Sequence, residues 1–358
     1  MNKIFTARCA GYADDALPEL IDSYFRSEKA RLKAARRILL KPNLLSASEP
    51  GRAVTTHPAF TDKVIEVLKK YTEAELWLGD SPGANFGNYE KVLSVTGIGP
   101  VAEKHGVRIV RVESFPPVTM EGFTYSSLAD EVDLIINLPK LKTHTLTGLS
   151  LAVKNMFGLI PGTGKVGFHR DFPVNTQLAE QIYKYFTILA PKMLNIMDGI
   201  LAQEGDGPSK GTPVELGFVS ASSDAVGLDI AVTRMVGIKD AFCLTSRAAI
   251  EAGYDTSGIK VPETNVRLIK IPSTMKSHLP ASIKRLVAKQ VWVKPKVLTD
   301  KCIKCMLCVK SCPVEAISVV NKFPLVDKNK CIECFCCHEV CESDAVGLER
   351  SWLHKLMV

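Results

Sequence analysis

The tightest constraint on this chain is a pair of cysteine runs near its C-terminus: Cys302, Cys305, Cys308 and Cys312, then Cys331, Cys334, Cys337 and Cys341. Each run reads CxxCxxCxxxC. Three thiolates at that spacing wrap one iron–sulfur cube, and the fourth, set further along, points away and ligates the other cube. The spacing therefore predicts one [4Fe–4S] cluster on Cys302, Cys305, Cys308 and Cys341, and a second on Cys331, Cys334, Cys337 and Cys312. Zinc sites use two CxxC pairs across a longer gap, which leaves half of each run unexplained. A disulfide framework belongs to small secreted domains, and no signal peptide opens this sequence.

The stretch from about 297 to 349 resembles the bacterial two-cluster ferredoxins. A short β-prone segment follows each run, Ala316–Val320 and Ala345–Leu348, as an internal repeat requires. Two features depart from that pattern. Glu342 stands where a proline, Pro313, follows the first run, and Cys336 adds a fifth thiol that reads as a spare or an alternative ligand.

With 358 residues the chain suits about two domains. No stretch reaches the roughly 20 apolar residues of a membrane span. Outside the runs only Cys9, Cys243 and Cys336 remain, which fits a reducing cytoplasm. The net charge of +7 is unevenly spread: residues 273–298 carry six Lys/Arg and no acid, whereas residues 299–349 carry six basic and eight acidic side chains. The rest is nearly neutral, so nucleic-acid binding is not the natural reading. These shifts divide the chain into an α/β domain over 1–272, a basic linker over 273–298 with an amphipathic helix about Ala281–Val291, and a cluster module with a short tail over 299–358. The linker is expected to dock the acidic module onto the body, tethering raising its effective concentration.

The body alternates strand and helix. Strands are predicted at Lys3–Ala10, Ile38–Leu40, Glu75–Leu78, Val107–Val112, Val132–Asn137, Met193–Met197, Val214–Ser220 and Asn265–Ile271. Helices are predicted at Ala16–Arg37, Ala59–Tyr71, Val92–His105, Leu146–Phe157, Thr176–Leu189 and Ala225–Val236, with a glycine-rich loop over Gly158–Arg170. Such alternation gives a mainly parallel sheet flanked by helices, followed by a small α+β ferredoxin-like module. Ligands of such sheets bind beyond the carboxyl ends of the strands. Lys41 and Asn43, Asp80 and Ser81, Lys140, Lys142 and His144, and Asp198 all follow apparent strands and are expected there.

Lys-Pro-Asn at 41–43, Thr-His-Pro at 56–58, Gly-Asp-Ser-Pro-Gly at 79–83, Pro-Lys-Leu-Lys-Thr-His at 139–144, Val-Lys-Asn at 153–155 with Gly158, and Asp-Gly at 198–199 with Glu204, Gly205, Gly207 and Pro208 resemble the domain-of-unknown-function family number 362. The resemblance spans about residues 36–272. It implies frequent fusion to a C-terminal two-cluster module, as here, and no assigned reaction.

Lys140, Lys142, Lys154, Asn155, Lys165, His144 and His169 gather cationic and donor groups around Gly158–Gly167, which suits a phosphate or carboxylate ligand. A single lysine more often lines a solvated face, so the group carries the argument. Gly162–Lys165 lacks the leading glycine of a P-loop, and no GxGxxG follows a strand. Gly158 is expected where backbone approaches closely. His57, His144 and His169 are candidate proton donors, because imidazole titrates near neutrality. His57 before a proline, and Asp80 and Asp198 before small residues, equally suit structural roles such as capping. The reading is an iron–sulfur oxidoreductase, probed catalytically at His144, His169, Lys140 and Lys142, with Lys41, Asn43, His57, Asp80, Lys154, Asn155 and Lys165 holding a small anionic substrate or cofactor. A redox partner protein supplies or accepts electrons, and a flavin is neither required nor ruled out. The competing readings are a non-catalytic electron carrier, which predicts a flat recognition face without a pocket, and a cluster-based sensor.

Overall fold

The computed structural model describes residues 3–83, 88–263, 265–275 and 292–353. In the body, β1 (Phe5–Arg8), β2 (Arg37–Pro42), β3 (Glu75–Leu78) and β4 (Arg108–Ile109) precede a small hairpin, β5 (Pro117–Met120) with β6 (Phe123–Ser126). Then come β7 (Leu134–Leu138), β8 (Lys140–His144), β9 (Gly148–Ser150), β10 (Met193–Glu204) and β11 (Thr212–Ser222). The main sheet runs β1-β11-β10-β7-β2-β3-β4. Its β10, β7, β2, β3 and β4 are parallel neighbours, while β11 and β1 add antiparallel at one edge. The mainly parallel α/β architecture is as the alternation predicts.

Period-two alternation explains the two cores. Leu39 and Ile135 face one layer, with Trp77, Tyr185 and Phe218. Ile38, Leu40, Leu134 and Ile136 face the other, with Phe25, Phe60 and Val64. Strands buried on both faces are apolar along the buried run, as Ile38–Leu40 of β2 and Leu134–Ile136 of β7 are.

Several elements differ from the sequence reading. The helix predicted over Ala16–Arg37 is two pieces, Ala16–Ser27 and Lys29–Ala34, and Arg37 instead opens β2 with its guanidinium over Trp77 at 4.3 Å. The Val92–His105 helix is likewise split, into Tyr89–Val95 and Ile98–Lys104, around left-handed Gly97. The helix expected over Leu146–Phe157 shrinks to Ala152–Asn155, because Lys-Leu-Lys-Thr-His is an alternating strand, β8, that turns back into β9. The predicted loop Gly158–Arg170 contains a helix, Gly162–Asp171, that begins after Pro161. The strand predicted over Met193–Met197 continues to Glu204 and pairs with β11, with a bulge between Gly199 and Leu201. Asn265–Ile271 forms no regular strand among the described residues; it is held by Gly205 N–H to Lys270 O and Ile269 N–H to Val236 O.

In the module, β12 (Val293–Val297) pairs with β15 (Val346–Arg350), and β13 (Ile317–Val320) with β14 (Phe323–Val326). The predicted helix at Ala281–Val291 lies outside the described residues. Among those residues no helix is long and apolar enough to cross a membrane.

Candidate functional site

The two cysteine runs adopt the same backbone course, offset by 29 residues in the sequence. Left-handed φ values recur at Lys304 and Glu333, at Met306 and Phe335, and at Glu315 and Asp344. Ala316 N–H donates to Cys312 Sγ at 3.1 Å, and Ala345 N–H to Cys341 Sγ at 3.2 Å. The missing proline after Cys341 therefore leaves the second cradle intact. None of the eight is in a disulfide.

Cysteines of the two runs lie beside one another. Cys308 is pushed up to about 11 by burial and then by Cys341, Cys305 and Cys302 beside it. Cys337 is raised by burial and by Cys334, Cys331, Cys308 and Cys312. Crowded thiolates repel one another, which is the electrostatic situation a cationic iron–sulfur core relieves. Among the described residues no three Cys, His, Asp or Glu gather tightly enough for a single metal ion. Four thiolates in each run, spaced as CxxCxxCxxxC, are the donor set a [4Fe–4S] cube takes.

The module meets the body beyond the carboxyl ends of β2, β3 and β7, where a cavity of about 80 Å³ has room for several water-sized groups. The body contributes Asn43, Asp80, Ser81, Lys142, His144, Lys154, Asn155, Lys165 and His169; the module contributes Ser311, Cys336, Glu339 and Val340. Between body and module Lys91 pairs with Glu342 at 2.6 Å, Lys210 with Asp344 at 3.0 Å and, in the opposite sense, the module's Arg350 with Asp206 at 3.0 Å. Through Lys91 and Lys210 the body itself supplies cations for the acidic side of the module. Of the linker's basic residues, Lys276, Lys284, Arg285 and Lys289 lie outside the described residues.

The lysines fall into two kinds. Lys41 Nζ is fully buried and paired with Asp80 Oδ1 at 2.7 Å, and Lys140 Nζ with Asp198 Oδ2 at 2.8 Å. Lys142, by contrast, donates to neutral acceptors, Asn43 Oδ1 at 2.8 Å and Val54 O at 2.6 Å. Burial, then nearby Lys154, pushes it down to about 7. Lys165 donates to Ser81 O and is pushed by burial to about 8. Lys154 stands over the Phe157 ring at 5.6 Å and is lowered by burial, with Glu339 opposing. These three face the cavity with more positive charge than Glu339 offsets.

The structure brings together Asn43, Asp80, Lys142, His144, Lys154, Asn155, Lys165 and His169 of the predicted set. Lys41 sits directly behind Asp80. Lys140 lies in a separate buried cluster with Asp198 and Tyr12, and His57 stacks on Tyr12 at 3.7 Å. His57 Nδ1 accepts from Ala59 N–H and so caps the helix Pro58–Leu68. Asp80 is a connector as well, its Oδ2 accepting Leu44 N–H at 2.7 Å.

His144 Nδ1 accepts from Leu146 N–H at 3.1 Å, and burial holds the ring neutral, so its proton sits on Nε2. That Nε2 is directed at Glu339 Oε1, 3.7 Å away. Lys165 and His169, four residues apart, share one face of the helix Gly162–Asp171, and burial pushes His169 to about 4. Below them, a chain of amides crosses the strand ends: Asn43 Nδ2 to Asn155 Oδ1, Asn155 Nδ2 to Asn137 Oδ1, and Asn137 Nδ2 to Asn195 Oδ1. An added Cβ on Gly158 would lie 2.5 Å from Lys41 Nζ and collide with Asp80 Oδ1, the close approach its position suggested.

Residues 38–234 match the family described as a domain of unknown function, DUF362. The chain belongs to that family. Residues 295–318 match a 4Fe–4S binding domain, so this DUF362 chain is an iron–sulfur protein of the electron-transfer kind. It is also similar to a thylakoid-associated protein of Synechocystis sp., 32% identical over 235 residues that cover 64% of this chain and 72% of that protein.

Sequence reasoning missed Glu339 and Ser311. Nothing in a cysteine spacing tells which side of the module faces the body. Cys336 was visible as a surplus thiol, and its place in the cavity wall gives that surplus a location.

Proposed function

We propose that this protein is an oxidoreductase that carries electrons through two [4Fe–4S] clusters to a small anionic substrate held between the body and the module. The observation that carries the reading is the composite cavity: lysines not neutralised by a carboxylate on one wall, and the chain around cluster ligands Cys312, Cys334 and Cys337 on the other. A carrier that only recognises a protein has no need of an enclosed cationic pocket.

In this reading Cys302, Cys305, Cys308 and Cys341 hold one cluster and Cys331, Cys334, Cys337 and Cys312 the other, and clusters supply single electrons. Lys142, Lys154 and Lys165 bind and orient the anion, and Asn43 fixes Lys142. His144 holds a proton on Nε2 at the cavity wall, as reduction requires. His169 lines the pocket as a neutral ring. Lys41 shapes the floor through Asp80, while Lys140 with Asp198 and Tyr12 forms a separate cluster. The α/β domain over 1–272, the linker over 273–298 and the module over 299–358 divide the labour, in a reducing cytoplasm.

The test is anaerobic purification with iron and sulfide counts, and mass spectrometry of the denatured supernatant. About eight irons with a co-purifying anion that disappears in Lys142→Met/Lys154→Met supports the proposal. About four irons removes the second cluster, stoichiometric zinc removes both, and an anion retained by the double variant removes the lysine roles.

A further inference from the structure

The module's charge is split along its sequence. Residues 299–330 hold six lysines against Asp300, Glu315 and Asp327, whereas residues 331–350 hold Glu333, Glu339, Glu342, Asp344 and Glu349 against Arg350 alone. Glu339, Glu342 and Asp344 of the acidic part face the body. Lys301, Lys304, Lys310, Lys322 and Lys330 of the basic part are exposed and pair with no carboxylate among the described residues.

The basic part also carries an exposed apolar hairpin. In the β13–β14 hairpin Ile317 packs inward with Cys308 and Val340, and Val326 packs against them. The alternate positions share the other face: Val320 opposite Phe323, and Ser318 opposite Leu325. Val320 is 46% and Leu325 57% exposed. Lys304 Nζ lies over the Phe323 ring at 4.4 Å, which joins this face to the Cys302–Cys305 loop. There Ile303 is 66% exposed and Cys305 is the one exposed thiol of its run. The cavity lies instead against Ser311, Cys336 and Glu339.

From this arrangement we infer that the outer hairpin face, with the Cys302–Cys305 corner, is the docking surface for an acidic one-electron carrier protein that feeds the clusters. The inference rests on the two-cluster reading above. An apolar patch flanked by Lys304, over Phe323, and Lys322, in the hairpin turn, neither of them paired with a carboxylate among the described residues, complements a carrier whose own redox centre is rimmed by carboxylates. Each encounter passes one electron: the carrier is oxidised by one, the cluster on Cys302, Cys305, Cys308 and Cys341 is reduced by one, and two encounters supply a two-electron reduction at the cavity. An exposed ligand cysteine shortens the path from the docked carrier to that cluster.

The test is anaerobic stopped-flow reduction of the full-length holoprotein by a small reduced acidic ferredoxin, read as loss of cluster absorbance with no cavity ligand present. Photoreduced deazaflavin serves as a small reductant without a docking requirement. Lys304→Glu/Lys322→Glu is expected to lower the ferredoxin rate about tenfold and to lose most of its fall with ionic strength, with iron content and the deazaflavin rate unchanged. Leu325→Asp, on the outward face, is expected to lower the ferredoxin rate with the lysines intact. Equal ferredoxin rates in wild type and both variants, or a basic carrier protein that works as well as the acidic one, would overturn the inference. Because the readout is cluster reduction without ligand, failure of the cavity's role leaves it standing, and its failure leaves the cavity's role to the mass-spectrometric test.

Discussion

His144 Nε2 stands 3.7 Å from Glu339 Oε1, a contact that reaches from the end of β8 in the body to the short helix Cys336–Glu339 of the module. Both atoms look into the same cavity. Because His144 Nδ1 is already occupied by the Leu146 N–H, the only proton the neutral ring can give is the one on Nε2. His144→Gln keeps a polar group of similar reach but cannot exchange a proton near neutral pH. Turnover with an artificial electron donor is expected to fall about 100-fold or more, with iron content and anion affinity retained. Turnover within a few-fold of wild type would take the proton-donor role away from His144.

How much of this site the sequence disclosed depends on which interactions are local. The cysteine spacing is a local geometric demand, and the repeated left-handed residues between the cysteines satisfy it twice. The buried strands β2 and β7 were legible because strands covered on both faces are apolar along the buried run. Lys-Leu-Lys-Thr-His is itself a period-two pattern, yet two lysines and a histidine on one strand face read as solvated until Asp198 and Tyr12 cover Lys140 and the module covers Lys142 and His144. In Gly162–Asp171 two further glycines, Gly164 and Gly167, hid a helix whose spacing signal, Phe168 with Phe172 and Lys165 with His169, was present in the sequence. Glu339 was out of reach because its role comes from the docking of two remote parts of the chain.

Gly158 tests how tightly the cavity floor is built. An alanine Cβ there would displace Asp80 Oδ1 or Lys41 Nζ and so break an ion pair buried on both sides. Separating such a pair costs about 3–5 kcal/mol, because each charge is left without a partner away from water. Gly158→Ala is expected to lower the urea unfolding midpoint by a corresponding margin and to weaken anion binding. A midpoint equal to wild type would mean that the floor relaxes freely.

Asp229 is a second buried carboxylate whose work is structural. Its two oxygens accept Ala152 N–H at 2.8 Å and Val153 N–H at 2.9 Å, anchoring the short helix that carries Lys154 and Asn155 to the helix Ala225–Met235. Asp229→Asn turns one acceptor into a donor facing an N–H, at a cost of about 1–3 kcal/mol. The expected outcome is lower stability in urea together with weaker anion binding, since Lys154 and Asn155 lose their seat. An unchanged affinity at reduced stability would show that the module, not Asp229, sets their position.

The lysines give the cavity a pH dependence whose sign follows from burial. Lys142 has a folded value near 7 and Lys165 near 8, both below the ordinary 10.5 because burial penalises their charged forms. An anion binds the charged forms, so affinity is expected to be highest below about pH 7 and to decline as pH rises through 7 and then 8. Stability of the ligand-free protein moves the other way. Below pH 7 the fold carries the cost of a charged buried Lys142, and that cost is relieved between 7 and 10.5, where the unfolded chain still binds the proton and the folded one does not. Titration calorimetry of the co-purified anion between pH 6 and 9 reads the first effect, with proton uptake on binding near pH 7.5. Lys142→Met should remove the lower step while leaving the upper one. An affinity that is flat across this range in the wild type would mean that the lysines stay charged in the empty cavity and that Glu339 neutralises more of their field than its single carboxylate suggests.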